Sequence, residues 1–465
     1  MNYLLLFLFI VAEIAFVICT FSENAQKAIW FRNRFLINAL VFVAFLIFAL
    51  FPGIDFGFRF KTLIFVLVIR ILISGITYFC KRRVTGDKKK AYAILSALLS
   101  IICIALSLIP SFIFNDYHGR ETTGSYEVAM SEAILSDSSR LETFENDGSF
   151  REVPVHFYYP VTDELTEFPL IIFSHGAFGY YESNTSTYME LASNGYVVVS
   201  LDHPYHSFFC TDTDGKTIIV DMKFMNDVMY INSGNATEQE IAQISTSWIK
   251  LRTDDISFVL DTLKAGRQDG ALNENWYAEA QAEDILRILK MMNMEKIGVM
   301  GHSLGGASAE YLGRIRDDVD AAIDLDGTML GEQLGLVECE PYEFEGIEYR
   351  EKYVINEEPY TVPLLSIDNQ EHHDSRLEAK KIGMPYANNT ILENALDGYE
   401  TYFANAGHMN YTDLPLFSPF LANMLGTGSI DAGECIDTMN GIVLNFFDSK
   451  LKAKGAFHIE ECYGN

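Results

Sequence analysis

Gly301-His302-Ser303-Leu304-Gly305 sets a serine between two glycines, the spacing that a nucleophilic hydroxyl needs where a strand turns sharply into a helix. Side chains at the flanking positions would clash in such a turn, and the strained serine between them exposes its hydroxyl. The context fits, because Ile297-Gly298-Val299-Met300 reads as a strand before the turn and Ala307 to Arg314 as a helix after it. A serine hydroxyl is a weak nucleophile until a base takes its proton and a carboxylate orients that base. Four histidines follow: His372, His373, His408 and His458. His408, in Ala406-Gly407-His408-Met409-Asn410, opens a loop after the strand-like Thr401-Tyr402-Phe403 and is the expected base. His372 and His373 read as polar loop residues beside Glu371 and Asp374, and His458 lies near the end of the sequence.

Two aspartates compete for the third role, Asp326 after Asp324-Leu325 and Asp368 after Leu364-Leu365-Ser366-Ile367. Both keep the order serine, aspartate, histidine. Alternation along a strand puts Asp324 and Asp326 on one side with Asp326 nearer the catalytic end, which favours Asp326. Asp368 is the alternative acid, and otherwise a pocket or loop-bracing carboxylate. The oxyanion of a tetrahedral intermediate needs backbone N–H donors, expected from Leu304 and from Ala177 in Phe173-Ser174-His175-Gly176-Ala177-Phe178-Gly179. His175 is positioned to brace that loop by hydrogen bonding to nearby backbone. His203 and His206, in Asp202-His203-Pro204-Tyr205-His206, read as pocket-wall or structural residues rather than metal ligands. This chemistry needs no cofactor and no metal.

The elements that must position these residues follow from the pattern beyond about residue 150. Short apolar, β-branched runs alternate with longer helical stretches, which signals a mostly parallel sheet covered by helices, the α/β-hydrolase arrangement. Strands are expected at Val153 to Tyr159, Leu170 to Phe173, Tyr196 to Leu201, Ile297 to Met300, Ala321 to Leu325, Val362 to Ile367 and Thr401 to Phe403. A helix through Tyr188 to Ser193 should stop at Asn194-Gly195, and another should span about Ile436 to Lys452. Insertions near 205–250, rich in Phe, Met and Tyr, and near 329–360, rich in acids, interrupt the rhythm, and each is either a pocket-shaping lid or an ordinary excursion.

The charge is divided as sharply as the pattern. Residues 1–114 carry 12 Lys+Arg against 4 Asp+Glu, and the remainder 22 against 59, so a net charge of −29 combines a region of +8 with one of −37. Such an acidic surface repels phosphate backbones and argues against a nucleic-acid partner. The seven cysteines have no C-x-x-C spacing, so a zinc site is not expected; Cys210, Cys339, Cys435 and Cys462 permit three pairings that sequence cannot rank.

Four apolar runs, about 2–21, 35–51, 62–80 and 91–114, are each near the length of a bilayer span, so residues 1–114 read as a four-helix transmembrane region. Residues 115–150 then read as linker and first edge, and 151–465 as the catalytic domain. Met1-Asn2-Tyr3 has no basic segment, which argues against a cleaved signal. Lys27, Arg32 and Arg34 in loop 22–34, with Lys81, Arg82, Arg83, Lys88, Lys89 and Lys90 in loop 81–90, place those loops in the cytoplasm and the acidic domain outside it. The expectation is a multi-pass protein of the cell membrane. Glu13 and Arg70 fall within parallel spans near mid-depth and are expected to pair.

Phe173-Ser174-His175-Gly176, the elbow through Ala307, Ile323-Asp324-Leu325-Asp326-Gly327 and Gly407-His408 together resemble the plasma-type platelet-activating-factor acetylhydrolases, here as a bacterial, membrane-anchored member. Bacterial relatives and the broader dienelactone-hydrolase-like group share much of this pattern. The resemblance covers roughly 150–450, puts the acid at Asp326, and implies a serine esterase of lipid degradation, acting on short-chain or lipid-derived esters such as 2-acetyl phospholipids. An acyltransferase or cutinase-like polyesterase would use the same residues. A membrane-anchored binding module with a vestigial site is the reading from another class. The two insertions and the four spans depart from the family pattern.

Overall fold

The structure, a computed structural model, describes residues 2–22, 26–49, 57–87, 89–164, 166–278, 281–344 and 346–464; Lys88 of the basic loop and residues 50–51 of the second expected span lie outside them. The chain divides into two compact units, Met1–His118 with Leu416–Leu421, and Gly119–Pro415 with Ala422–Asn465.

The first unit holds helices α1 (Asn2–Ser22), α2 (Lys27–Phe48), α3 (Phe58–Lys81) and α4 (Lys90–Ser107), each long and apolar enough to cross a membrane. Glu13 takes Arg70 Nη2 at 2.7 Å and also Arg34 Nη1 at 2.6 Å. The sequence pattern sets Arg34 in a loop, but α2 begins at Lys27, well before the apolar run. No helix breaker lies between Lys27 and Phe35, and lysine and arginine are good helix formers, so the helix extends through the basic segment.

The second unit is built on a ten-stranded sheet. Its strands are β1 (Val128–Leu141), β2 (Phe150–Pro160), β3 (Phe168–Ser174), β4 (Val197–Leu201), β5 (Trp276–Tyr277), β6 (Met292–His302), β7 (Ala321–Leu325), β8 (Leu364–Asn369), β9 (Gly398–Phe403) and β10 (Cys462–Tyr463). They lie in the order β10-β9-β8-β7-β6-β3-β4-β2-β1-β5. Pairing is parallel from β10 to β4 and antiparallel beyond. This is the α/β-hydrolase fold.

Both faces of the sheet are covered, which is why the central strands read as continuous apolar runs. Adjacent residues serve opposite cores. Ile172 packs with Ile256, Val259 and Leu260 of helix α6 (Glu238–Asp269), whereas Ile171 packs with Tyr188 of helix α5 (Thr185–Ser193) and with Val443 and Phe447 of helix α9 (Ala432–Lys452). Local sequence sets the ends of these helices. Thr237 and Glu240 form a reciprocal capping box at the start of α6, and Gly270 at φ 62° ends it. Asn194 caps α5, with Gly195 at φ 84° following.

The insertion 205–250 contains a short hairpin (Phe209–Thr211 with Thr217–Ile219), a helix over Met222–Asn232 and the start of α6. The insertion 329–360 is mostly a second hairpin, Gln333–Phe344 with Ile347–Ile355. Strands β1, β5 and β10 were not among those expected; β5 and β10 are edge pairs too short to leave an alternating pattern.

Candidate active site

A sharp strand-to-helix elbow forms where β6 ends at His302 and helix α7 (Leu304–Ile315) begins. Ser303 sits between them at φ 56° and ψ −125°, a conformation that is costly for a residue with a side chain. Its glycines are sterically required. A Cβ on Gly305 would lie 2.0 Å from Ser174 O, and one on Gly301 would lie 2.3 Å from the backbone of Gly305. Ser303 N donates to Leu325 O at 2.8 Å, tying the elbow to the neighbouring strand.

Parallel strands deliver the other groups to the same carboxyl edge. Asp326 follows β7 immediately and is itself at φ 58°. The strand therefore stops at Leu325, and the left-handed turn at Asp326, rather than strand alternation, aims its carboxylate. His408 opens a turn after β9, with Nδ1 2.6 Å from Asp326 Oδ2. Its main-chain carbonyl accepts from His302 Nε2 at 3.0 Å, which holds the turn against the elbow. Among the described residues no hydrogen bond joins Ser303 Oγ to His408, although the rings of His302 and His408 lie 4.6 Å apart.

Asp326 is buried and well supplied with donors: Asn369 N at 2.8 Å, Asn369 Nδ2 at 2.5 Å and His372 Nδ1 at 3.3 Å, besides His408. Burial alone would raise its pKa, but hydrogen bonds from His372 and His408 hold it far below the ordinary carboxylate range. Asp368 has other partners. Arg376 Nη1 pairs with it, Ser366 Oγ donates at 3.3 Å, and its carbonyl accepts from Tyr411 at 2.6 Å.

His372 differs from its expected loop role. It lies in the first turn of helix α8 (Gln370–Ile382), half-buried, with Nδ1 3.3 Å from Asp326 and 3.5 Å from Asp368. Burial disfavours its charge, yet the two carboxylates prevail and raise its pKa to about 9. Asn369 caps α8 by accepting from His372 N at 2.9 Å, so the cap that starts the helix also turns this imidazole inward. These three residues, Asp326, Asp368 and His372, also have the spacing of a metal-ligand cluster. The carboxylate oxygens already accept from His408, His372 and Arg376, which does not fit a cation there.

Opposite the elbow runs the loop after β3. A Cβ on Gly176 would lie 3.3 Å from Ser303 Cβ, so this loop passes directly against Ser303. The backbone N–H groups of Ala177 and Leu304 have no hydrogen-bond partner among the described residues. His175 donates through Nδ1 to Gly176 O at 2.6 Å and accepts at Nε2 from Ser207 Oγ at 2.7 Å. Beneath it, Ser174 Oγ bonds His203 Nε2 at 2.9 Å and His203 Nδ1 bonds Asp255 at 3.0 Å. Arg151 pairs with Asp255 at 2.7 Å, and Arg252 donates to the carbonyls of His175 and Gly176. His206 is buried and stacks on Phe224 with ring centroids 3.8 Å apart. Arg151, Arg252, Asp255 and the inward His372 are not evident from the sequence because no local motif marks them.

An apolar cluster adjoins the donors, joining Ala177, Phe178, Phe224, Trp248, Leu304 and Tyr311. Much of it comes from the insertion 205–250.

Residues 139–334 match the family described as platelet-activating factor acetylhydrolase, isoform II, a stretch that includes Ala177, Ser303, Leu304 and Asp326 and ends before His408. A solved structure, a ferulic acid esterase from Streptomyces cinnamoneus, aligns at 18% identity and a TM-score of 0.47 over 72% of this chain and 93% of its own. The unit that carries the elbow has the α/β-hydrolase fold, and its residues 139–334 are similar to that acetylhydrolase family.

Proposed function

We propose that this chain is a serine carboxylic-ester hydrolase in which Ser303 attacks the ester carbonyl, His408 is the base and Asp326 orients it. The family match supports an ester hydrolase in general. The observation that carries the finer reading is Ser303 at φ 56° on the elbow with the His408–Asp326 pair, 2.6 Å apart, at the same sheet edge. His408 Nδ1 donates to Asp326, leaving Nε2 to take the Ser303 proton as the C–O bond forms. The oxyanion then meets the N–H groups of Leu304 and Ala177. His408 returns the proton to the leaving alkoxide, giving an acyl-enzyme that water hydrolyses by the same route.

Asp326 remains ionised throughout the working range, so it stabilises the imidazolium without taking its proton. The apolar cluster beside Leu304 suits the acyl or alkyl part of a short-chain or lipid-derived ester. Residues 1–114 serve as a multi-pass membrane anchor and residues 151–465 as an extracytoplasmic catalytic part. Four apolar helices and the basic loops support that topology.

The decisive experiment is labelling with a fluorophosphonate probe, expected on Ser303 and lost in Ser303→Ala. An unlabelled wild-type protein that is folded rules the reading out. Esters of graded chain length, 2-acetyl phospholipids included, then define the substrate. A topology reporter fused after Asn465 should report from outside the cytoplasm.

A further inference from the structure

We propose that Arg252 is a positioning residue of the oxyanion loop, its guanidinium fixing the Gly176–Ala177 peptide so that the Ala177 N–H faces the oxyanion. This deepens the reading of Ser303 as an esterase nucleophile and rests on it.

A trans peptide points its C=O and its N–H in opposite directions. The carbonyl of Gly176 and the N–H of Ala177 belong to one such peptide. That carbonyl receives three donors: His175 Nδ1 at 2.6 Å, Gly179 N at 3.1 Å and Arg252 Nη2 at 3.3 Å. Arg252 Nη1 holds the preceding carbonyl, that of His175, and lies 3.4 Å from Ser174 Oγ. With the carbonyl pinned on the Arg252 side, the Ala177 N–H is turned to the other side of the loop. There Gly176 packs against Ser303, and the N–H finds no protein acceptor among the described residues.

The cost of this arrangement points the same way. Arg252 is fully buried, makes no salt bridge among the described residues, and leaves its Nε without a partner. The Asp255 carboxylate offsets part of this burial from a distance without pairing with it, so the guanidinium is still expensive here, and an apolar side chain would suffice to fill the space. Instead the charge is spent on two carbonyls of one loop. Burial lowers its pKa to about 9, so it stays a cation at neutral pH, and a cation behind a peptide strengthens the N–H dipole in front of it.

The test uses the full-length protein in detergent, with p-nitrophenyl acetate as substrate and phenylboronic acid as a tetrahedral probe of the nucleophile. Arg252→Met should lower kcat about 100-fold, the loss of one oxyanion donor, with KM within about threefold of wild type. Phenylboronic acid should weaken by a similar factor, because its adduct needs the same donor. Arg252→Lys, which keeps the charge and reaches one carbonyl, should recover about tenfold of the kcat loss. A folded Arg252→Met with unchanged kcat, or with kcat reduced and boronate affinity intact, overturns the proposal. If the methionine variant fails to fold, the lysine variant decides: wild-type kcat and boronate affinity overturn the proposal, and a matched fall in both supports it. Labelling of wild-type Ser303 by a fluorophosphonate separates the two failures. Its absence removes the esterase reading together with this one, whereas normal labelling with indifferent Arg252 variants removes this one alone.

Discussion

Ser303, His408 and Asp326 gather at the carboxyl edge of the sheet, while Ser174, His203 and Asp255 repeat the same three residue types beneath the neighbouring loop. The buried set has the more complete hydrogen bonding, with serine to histidine at 2.9 Å and histidine to aspartate at 3.0 Å. The elbow set has a shorter histidine–aspartate contact, 2.6 Å, and no described hydrogen bond from the Ser303 hydroxyl to His408. Access and backbone separate them. Ser174 closes a strand and is 1% exposed, whereas Ser303 is half-buried on a strained turn and the His408 side chain is 39% exposed. A complete relay that no substrate can reach is a brace; an incomplete one at an accessible, strained turn is a candidate catalyst whose serine–histidine bond can close with the substrate in place.

The strongest way to break that comparison is to disable the elbow set and to map which serine a probe labels. Ser303→Ala and His408→Ala should each lower esterase turnover by at least ~10⁴ while folding normally, since members of a triad act as a unit. Peptide mapping of the fluorophosphonate adduct should find Ser303 modified and Ser174 unmodified. A label on Ser174 would mean that burial does not separate the two sets.

The acid is the next point of division. Asp326→Asn should cost ~10⁴ in turnover, because the imidazole loses the partner that fixes its tautomer. Asp368→Asn should act chiefly on stability, by ~3 kcal/mol, since it leaves the Arg376 guanidinium without its buried carboxylate. Steady-state kinetics beside urea unfolding of both variants distinguishes the two, and the reverse pattern would move the acid to Asp368.

The buried set should respond in stability alone on the scale of those losses. His203→Gln leaves Asp255 and Ser174 without their shared partner, and ~2 kcal/mol of folding free energy should go with it. Retention of Ser303 labelling in the folded variant is the check. A ~10⁴ fall in turnover with an unchanged melting temperature would mean that His203 takes part in the chemistry.

These contrasts follow how much of the molecule was legible in its sequence. The alternation of apolar strands and helices announced the fold because a sheet covered on both faces leaves continuous runs such as Leu170 to Phe173. Ser303 stood out because its glycines answer to a local steric need. His408 stood out because it opens a loop directly after a strand-like run, the place where a parallel sheet presents polar groups at its carboxyl edge. Asp326 and Asp368 end adjacent parallel strands, so pattern could order them only weakly; the left-handed turn at Asp326 is a tertiary outcome. Arg252 and His372 were illegible for a different reason. Arg252 lies within a 32-residue helix, and it meets Gly176 only through the packing of that helix on the sheet. His372 looked like a loop residue because Gln370-Glu371-His372-His373-Asp374 is polar throughout, and only the Asn369 cap turns it inward. Arg34 falls within α2 because an apolar span and a helix need not start at the same residue.

The last contrast is a pH dependence of opposite sign in the two regions. His372 faces Asp326, Asp368 and Arg376, and its folded pKa of about 9 lies above the ordinary histidine value. Its contribution is therefore complete below about pH 6.5 and lost as pH rises through about 9. His203 faces Asp255, Arg252 and Arg151, and burial lowers its pKa to about 4. It must remain neutral to stay folded, so its contribution is complete above about pH 6.5 and lost as pH falls through about 4. Each shift corresponds to at most ~3 kcal/mol. Other titrating groups share in both limbs, so the informative measurement is a difference between variants. Melting temperature followed from pH 4 to pH 9.5 should show a flatter alkaline limb in His372→Asn and a flatter acid limb in His203→Gln, each leaving the other limb as in wild type. An alkaline limb unchanged by His372→Asn would mean that this imidazole is neutral between its two carboxylates, and that Asn369 and His408 alone keep Asp326 ionised.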